Sequence, residues 1–180
     1  MTTRFVQLFA ITASLALAAV FAPAQSSFKD ELDLGVQAYK AAKYEEAIQH
    51  FQNATSLNPQ KAVAHLYLAT AYGQQYIPGV ETPENIHLAE AAISEYQAVL
   101  KIDQHSINSL QGIAYLRLEQ KKFADAKAFY HRAIEEDPND AESYYSVGVI
   151  DWTQAYTRRT AEYSKLNMRP EDSLISRAEC

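Results

Sequence analysis

The chain has 180 residues, 22 of them acidic and 16 basic, for a formal net charge of −6. Such a surface repels phosphate backbones, and Lys121-Lys122 and Arg158-Arg159 are its only basic doublets, so nucleic acid is excluded as a partner. A single cysteine, Cys180, rules out an internal disulfide framework and leaves packing to stabilise the fold.

The chain begins "MTTRFVQLFAITASLALAAVFAPAQ": a short start carrying Arg4, an apolar stretch from Phe5 to Ala22, and Ala22-Pro23-Ala24 before Gln25. This is the n-region, h-region and A-x-A pattern of a secretory signal peptide, expected over residues 1–24 and removed on export to the periplasm or the medium. The alternative is an uncleaved anchor, because the stretch approaches the roughly 18 to 20 residues that span a bilayer. Only that alternative gives the protein a membrane contact. Cys180 reads as an incidental tail residue, its alternative being a link between chains.

After the leader, apolar residues recur at helical spacing. A first helix carries Leu34-Gly35 and Tyr39, and a second carries Tyr44, Ala47, Ile48, Phe51, Ala54 and Leu57 before Pro59 stops it. A third contains Leu68-Ala69 and Tyr72. The stretch "GQQYIPGVETPENIH" follows, with Pro78-Gly79 as a turn and Thr82-Pro83 as an N-cap and first helical position, predicting a loop over 75–81 and a helix over 83–102. That fourth helix carries Ala89, Ala92, Ile93, Tyr96, Val99 and Leu100, with Gln104 where a proline is expected. A fifth contains Ile113-Ala114, and a sixth carries Phe123, Ala126, Tyr130, Ala133 and Ile134 before Pro138. The last begins at Asp140, passes Val147-Gly148, and keeps an apolar stripe through Trp152, Tyr156, Tyr163 and Leu166, predicting one long helix over 141–166 and a tail over 167–180.

The small residues Gly35, Ala69, Ala114 and Gly148 are 34, 45 and 34 positions apart. A small residue lets two backbones approach to about 8 to 10 Å while an aromatic residue fills the groove that remains. The four are expected to be equivalent contact points in successive helical hairpins. Enlarging Ala47 or Ala126 should overpack a pair by about 1 to 3 kcal/mol. A lone hairpin cannot bury its stripe, so at least three must stack.

On the residues just named, from Leu34-Gly35 through Pro138, the chain resembles the tetratricopeptide repeat family over about residues 28–152. The resemblance implies an all-α, right-handed superhelical solenoid of antiparallel helix pairs. It would hold three full repeats, about 28–61, 62–106 with an insertion at 74–84, and 107–140, plus a terminal helix. It also implies a concave face, lined by the first helices, that holds peptides or helices of other proteins without chemistry. Projected from the repeat frame, that face carries Leu32, Val36, Tyr39 and Lys40, then Val63, Leu66, Thr70 and Gln74. It continues with Asn108, Gln111, Tyr115, Leu118 and Glu119, and ends with Tyr145, Val149 and Trp152. Members that grip a C-terminal carboxylate use Lys, Asn and Arg at set concave positions. Here Leu32, Val36, Tyr67, Asn108 and Gly112 stand there, which argues against that mode.

The insertion offers Tyr76 and Ile77 as a projecting lip, or is a surface loop tolerated because loop-closure entropy grows slowly. The aromatic last helix is covered by the tail or by a partner, or the sequence stops short of the natural end.

His50, His65, His87, His105 and His131 show no zinc spacing. Asp137-Pro138-Asn139-Asp140 lacks the glycine and distal glutamate of a calcium loop and reads as a turn ending in a cap. No nucleophile motif or phosphate-binding glycine pattern occurs. Asn53-Ala54-Thr55 matches a glycosylation sequon, but Ala54 belongs to the packed stripe. No metal, cofactor or catalytic residue is expected. The reading is a non-enzymatic interaction module that scaffolds an envelope or secreted complex, with Tyr39, Tyr115, Tyr145 and Trp152 as anchors. Its alternatives are a self-associating structural protein pairing through its terminal helix and an unrecognised enzyme.

Overall fold

The computed structural model describes residues 26–167. The expected signal peptide, the tail beyond Asn167 and Cys180 lie outside the described residues. Within them the chain forms seven helices and no strand: α1 (Phe28–Lys40), α2 (Tyr44–Leu57), α3 (Ala62–Gln75), α4 (Pro83–Ile102), α5 (Ile107–Glu119), α6 (Phe123–Glu136) and α7 (Ala141–Lys165). The arrangement is an all-α solenoid in which α1/α2, α3/α4 and α5/α6 pair and α7 packs on α6. None of these helices is long and apolar enough to cross a membrane.

Caps fix where the helices begin. Ser27 and Asp30 close a capping box at α1. Thr82 accepts from the Asn85 N–H at α4, with Pro83 in the first turn, and Asp140 accepts from the Ser143 N–H at α7. Two kinds of turn then link them. Between α1 and α2, the Lys43 N–H reaches the Ala38 carbonyl and the Ala42 N–H reaches Tyr39, a Schellman closure that places Ala42 at φ 56°. Lys121, at φ 59°, holds the equivalent place between α5 and α6, where Lys122 reaches Arg117.

The turns between hairpins are different and alike. Asn58, Asp103 and Asp137 end α2, α4 and α6 with similar backbones, at φ/ψ of −148°/87°, −134°/96° and −131°/99°. In each, the side-chain oxygen accepts from the N–H two residues on, at 3.3, 3.1 and 2.9 Å. This Asx turn explains why Gln104 can replace a proline: the aspartate or asparagine before it sets the turn.

Three apolar clusters form the core, and each joins one hairpin to the next first helix. Ala38, Ala47, Ile48 and Phe51 pack with Leu68 and Ala71 of α3. Ala69, Ala89, Ala92, Ile93 and Tyr96 pack with Ile113 and Leu116 of α5. Ala114, Ala126 and Tyr130 pack with Ile150 of α7. A hairpin therefore becomes a closed core only when a third helix covers it, which is the physical content of the stacking requirement.

The small positions do not behave alike, and this corrects the expectation of four equivalent contacts. A Cβ built on Gly35 would lie 2.4 Å from the Phe51 ring, and Ala69 and Ala114 are fully buried. Gly148 is exposed and a Cβ there would meet nothing within 4 Å, because no second helix follows α7 among the described residues. A further contact belongs to Gly112, whose Cβ would lie 2.5 Å from the Tyr96 ring. The same frame position holds Tyr67 one repeat earlier, and there the ring lies tilted at 35° against Phe51 with centroids 5.5 Å apart.

Candidate functional site

First helices supply one wall of the solenoid, and the recess in it is built chiefly from α1, α3 and α5. Val36, Tyr39 and Lys40 of α1 face Leu66, Tyr67 and Thr70 of α3, with Asn108 of α5 at the far end and the rings of Phe51 and Tyr96 as floor. The volume is about 410 Å³. Lys40 is the one charged residue among these nine.

The apolar floor follows from the helical stripes. Phe51 and Tyr96 are the aromatic positions of α2 and α4, and each shows one edge between the first helices. Tyr96 is buried, its hydroxyl 3.5 Å from Thr70 Oγ1, and burial pushes its phenol up. Thr70 donates to the Leu66 carbonyl at 2.8 Å, which holds its methyl group and oxygen in place. Tyr39 sits edge-on to Tyr44 with centroids 5.5 Å apart, and burial also raises its phenol. The recess is therefore an apolar slot with hydroxyls and one amide at its edge and an ammonium at one end, a site for an apolar side chain with polar groups beside it.

Of the residues projected onto the concave face, Val36, Tyr39, Lys40, Leu66, Thr70 and Asn108 come together here. Leu32 packs against the first core cluster and Leu118 against the third. Gln111 donates to Asp140 at 2.8 Å and so ties α5 to the cap of α7. Tyr115 is half exposed, and burial and Glu119 raise its phenol. Tyr145, Val149 and Trp152 lie outside the recess, on the exposed side of α7, with Tyr145 74% and Trp152 67% exposed. Phe51 and Tyr96 are not among the projected residues, because the projection takes first-helix positions and passes over second-helix rings that reach between them; Tyr67 is a first-helix ring that the projection omits. Tyr67 was named only for what it excludes.

The insertion differs from a free lip. Tyr76 packs against the α3/α4/α5 core, while Ile77 remains exposed. Asn85, buried, clasps the loop: its Oδ1 accepts from the Ile77 N–H at 2.8 Å, and its amide donates to the carbonyls of Ile77 at 2.8 Å and Val80 at 2.7 Å. Gly79 takes φ 78° within the turn. The folded loop borders a second cleft of about 360 Å³, lined by Tyr76, Val80, Ile86 and Glu90 on one side and Glu119 to Lys122 on the other. Glu90 anchors it, accepting from Arg117 at 2.7 Å and Gln120 at 3.0 Å. Burial pushes its carboxyl up, but these bonds outweigh that and the net shift is downward.

Three histidines pair with carboxylates on a neighbouring helix: His50 with Glu31 at 2.8 Å, His65 with Glu95 at 2.6 Å and His105 with Glu136 at 2.8 Å. Among the described residues no three metal-ligating side chains gather.

A family model for the tetratricopeptide repeat matches residues 88–147, and a second for the same repeat matches residues 32–75. No curated protein matches in sequence. Among solved structures, the first such domain of Spaghetti (RPAP3), bound to the HSP90 peptide SRMEEVD, superposes with a TM-score of 0.62 at 20% identity, over 73% of this chain and 95% of that one. The Yersinia enterocolitica type III secretion chaperone SycD, in complex with a peptide of the translocator YopD, gives 0.59 at 18% identity, over 70% and 93%. MamA gives 0.63 at 17% identity, over 77% and 74%.

Proposed function

The chain belongs to the tetratricopeptide repeat family, and on that premise we propose that it is a non-enzymatic protein-interaction module that holds a peptide or helix of a partner in the recess between α1, α3 and α5. The observation that supports this is the recess itself: apolar side chains and aromatic edges at its base, Lys40 as its single charge, and no group inside it arranged for proton or nucleophile chemistry. The two peptide-bound neighbours keep their ligands on the same fold. Leu32, Val36 and Tyr67 stand where carboxylate-gripping relatives place polar groups, so the bound segment is internal and apolar rather than a free acidic C-terminus.

The N-terminal pattern places this module outside the cytoplasm in the proposal, where it would scaffold an envelope or secreted complex. Mass determination of the protein recovered from native cells tests the export step: the mature chain should begin at Gln25.

Selection from a peptide library on the purified chain tests the recess. Peptides with one large apolar residue should dominate, and Tyr67→Glu should weaken them at least about tenfold with helical circular dichroism retained. A buried interface side chain of this kind typically contributes about 2 kcal/mol, which is more than tenfold. Equal binding by Tyr67→Glu moves the site elsewhere, first to the cleft bordered by Tyr76.

A further inference from the structure

We propose that α7 is a dimerisation helix that pairs, antiparallel, with α7 of a second copy. The argument starts from what α7 leaves open. Its buried residues are Ser143 and Ile150, and Ile150 packs into the core cluster of α5 and α6. Residues 141, 145, 148, 152, 155 and 159 recur at alternating spacings of four and three on the opposite side, and all six are exposed. That alternation is the seam of a two-helix coiled coil.

The residues on this seam alternate in size. Large ones, Tyr145, Trp152 and Arg159, take one heptad position, and small ones, Ala141, Gly148 and Ala155, take the other. An antiparallel pair with its two-fold axis level with Ile150 sets each large residue against a small one. Trp152 meets Gly148 of the second copy, Tyr145 meets Ala155, and Arg159 meets Ala141, each contact occurring twice by symmetry. A parallel pair would set tryptophan against tryptophan and glycine against glycine, crowding one layer and emptying the next. The seat is open, since a Cβ on Gly148 would meet nothing within 4 Å. Tyr156 stacks on Trp152 with centroids 5.3 Å apart and presents a joined ring surface beside the seam.

In this register Arg158 faces Tyr144 of the second copy and Glu142 faces Tyr156, so large side chains flank the seam at both ends. Arg159 donates to the hydroxyl of its own Tyr163 at 2.8 Å. Asp151, which approaches its own symmetry mate near the axis, already has Lys127 as counter-ion at 2.5 Å. The occupant of this face is therefore a second copy of the chain itself, independent of what fills the recess.

Sedimentation equilibrium of the full chain in reductant, with emission of Trp152 followed over the same concentrations, tests this. Trp152 is the sole tryptophan, so its emission reports this seam alone. The expected result is a reversible monomer–dimer equilibrium, with emission moving to the blue as the dimer forms. Gly148→Leu should weaken the dimer by about a hundredfold or more, since it overfills two layers at once. It should leave the monomer folded, because leucine is a better helix former than glycine and has open space there. A concentration-independent monomer overturns the proposal: blue emission would then assign the seam to the chain's own tail, and exposed emission would leave it to another protein. A dimer indifferent to Gly148→Leu also overturns it.

Discussion

The ring of Phe51 occupies the space that a side chain on Gly35 would need: an ideal Cβ at Gly35 would lie 2.4 Å from Phe51 Cε1. The ring cannot retreat freely, because the ring of Tyr67 lies tilted against it with centroids 5.5 Å apart. Gly35→Ala should therefore destabilise the fold, its overpacking cost of about 1 to 3 kcal/mol exceeding the roughly 1 kcal/mol gained in helix propensity. Gly112→Ala should do the same through Tyr96. Gly148→Ala, with nothing to meet, should stabilise by up to about 1 kcal/mol. Chemical unfolding should rank Gly148→Ala above wild type and wild type above the other two; a uniform response of all three would show that the contacts at Gly35 and Gly112 do not limit packing.

Glu31 gives the fold an acid-sensitive point. It is buried on α1 and accepts from Ser26, from His50 at 2.8 Å and from Asn53 at 3.1 Å. The Ser26 bond above all, with those of His50 and Asn53, holds its carboxyl below the ordinary value of 4.5 against the opposing effect of burial. A carboxyl lowered on folding stabilises above its unfolded value, and that stabilisation is lost as pH falls through the folded one. Glu31→Gln should cost about 1.5 to 3 kcal/mol near pH 7, and the gap to wild type should narrow below about pH 4.5. Urea melts at the two pH values measure it, and a gap independent of pH would remove Glu31 as the cause.

Ala42 and Lys121 close the two Schellman turns with positive φ, at 56° and 59°, and both are exposed. An L-residue in this region costs about 1 to 2 kcal/mol, and glycine recovers this less its greater freedom in the unfolded chain. Ala42→Gly and Lys121→Gly should each raise stability by about 0.5 to 1 kcal/mol, additively, since they lie in separate hairpins. Thermal melts of the two single variants and the double provide the check.

Asn85 should control the insertion without controlling the solenoid. Asn85→Asp removes the amide that donates to the Ile77 and Val80 carbonyls and sets a carboxylate against them. The expected cost is about 1 to 3 kcal/mol. Hydrogen exchange should quicken over residues 76–82 while α1, α2 and α6 keep their protection. Unchanged exchange in the loop would mean that Tyr76, rather than Asn85, holds it.

Much of this architecture could be read from single residues. The spacing of Gly35, Ala69 and Ala114 gave the stacked hairpins, and Thr82-Pro83 and Asp140 marked helix starts that the backbone then used. What escaped depends on contacts between helices that no local pattern records. Asn85 looks like any polar residue in a first turn until the loop folds back onto it. Gly112 lies two residues before the marker Ala114, and its role appears only when Tyr96 is seen against it. The histidine–carboxylate pairs join residues 19 to 31 positions apart. For the candidate site, six of the projected first-helix positions line the recess between α1, α3 and α5, whereas Tyr145 and Trp152 are exposed on α7 and do not line it.

The shared Asx turns at Asn58, Asp103 and Asp137 bear on how such a chain can change over time. The 11 additional residues of the second repeat fall inside a hairpin, four of them in the α3–α4 loop and the others lengthening α4 and α3, whereas the step from one hairpin to the next is set by a backbone that barely varies. Growth at the hairpin tip thus widens the girth of the molecule locally and leaves its pitch untouched. A lineage could lengthen, shorten or redecorate that tip while every later repeat kept its heading.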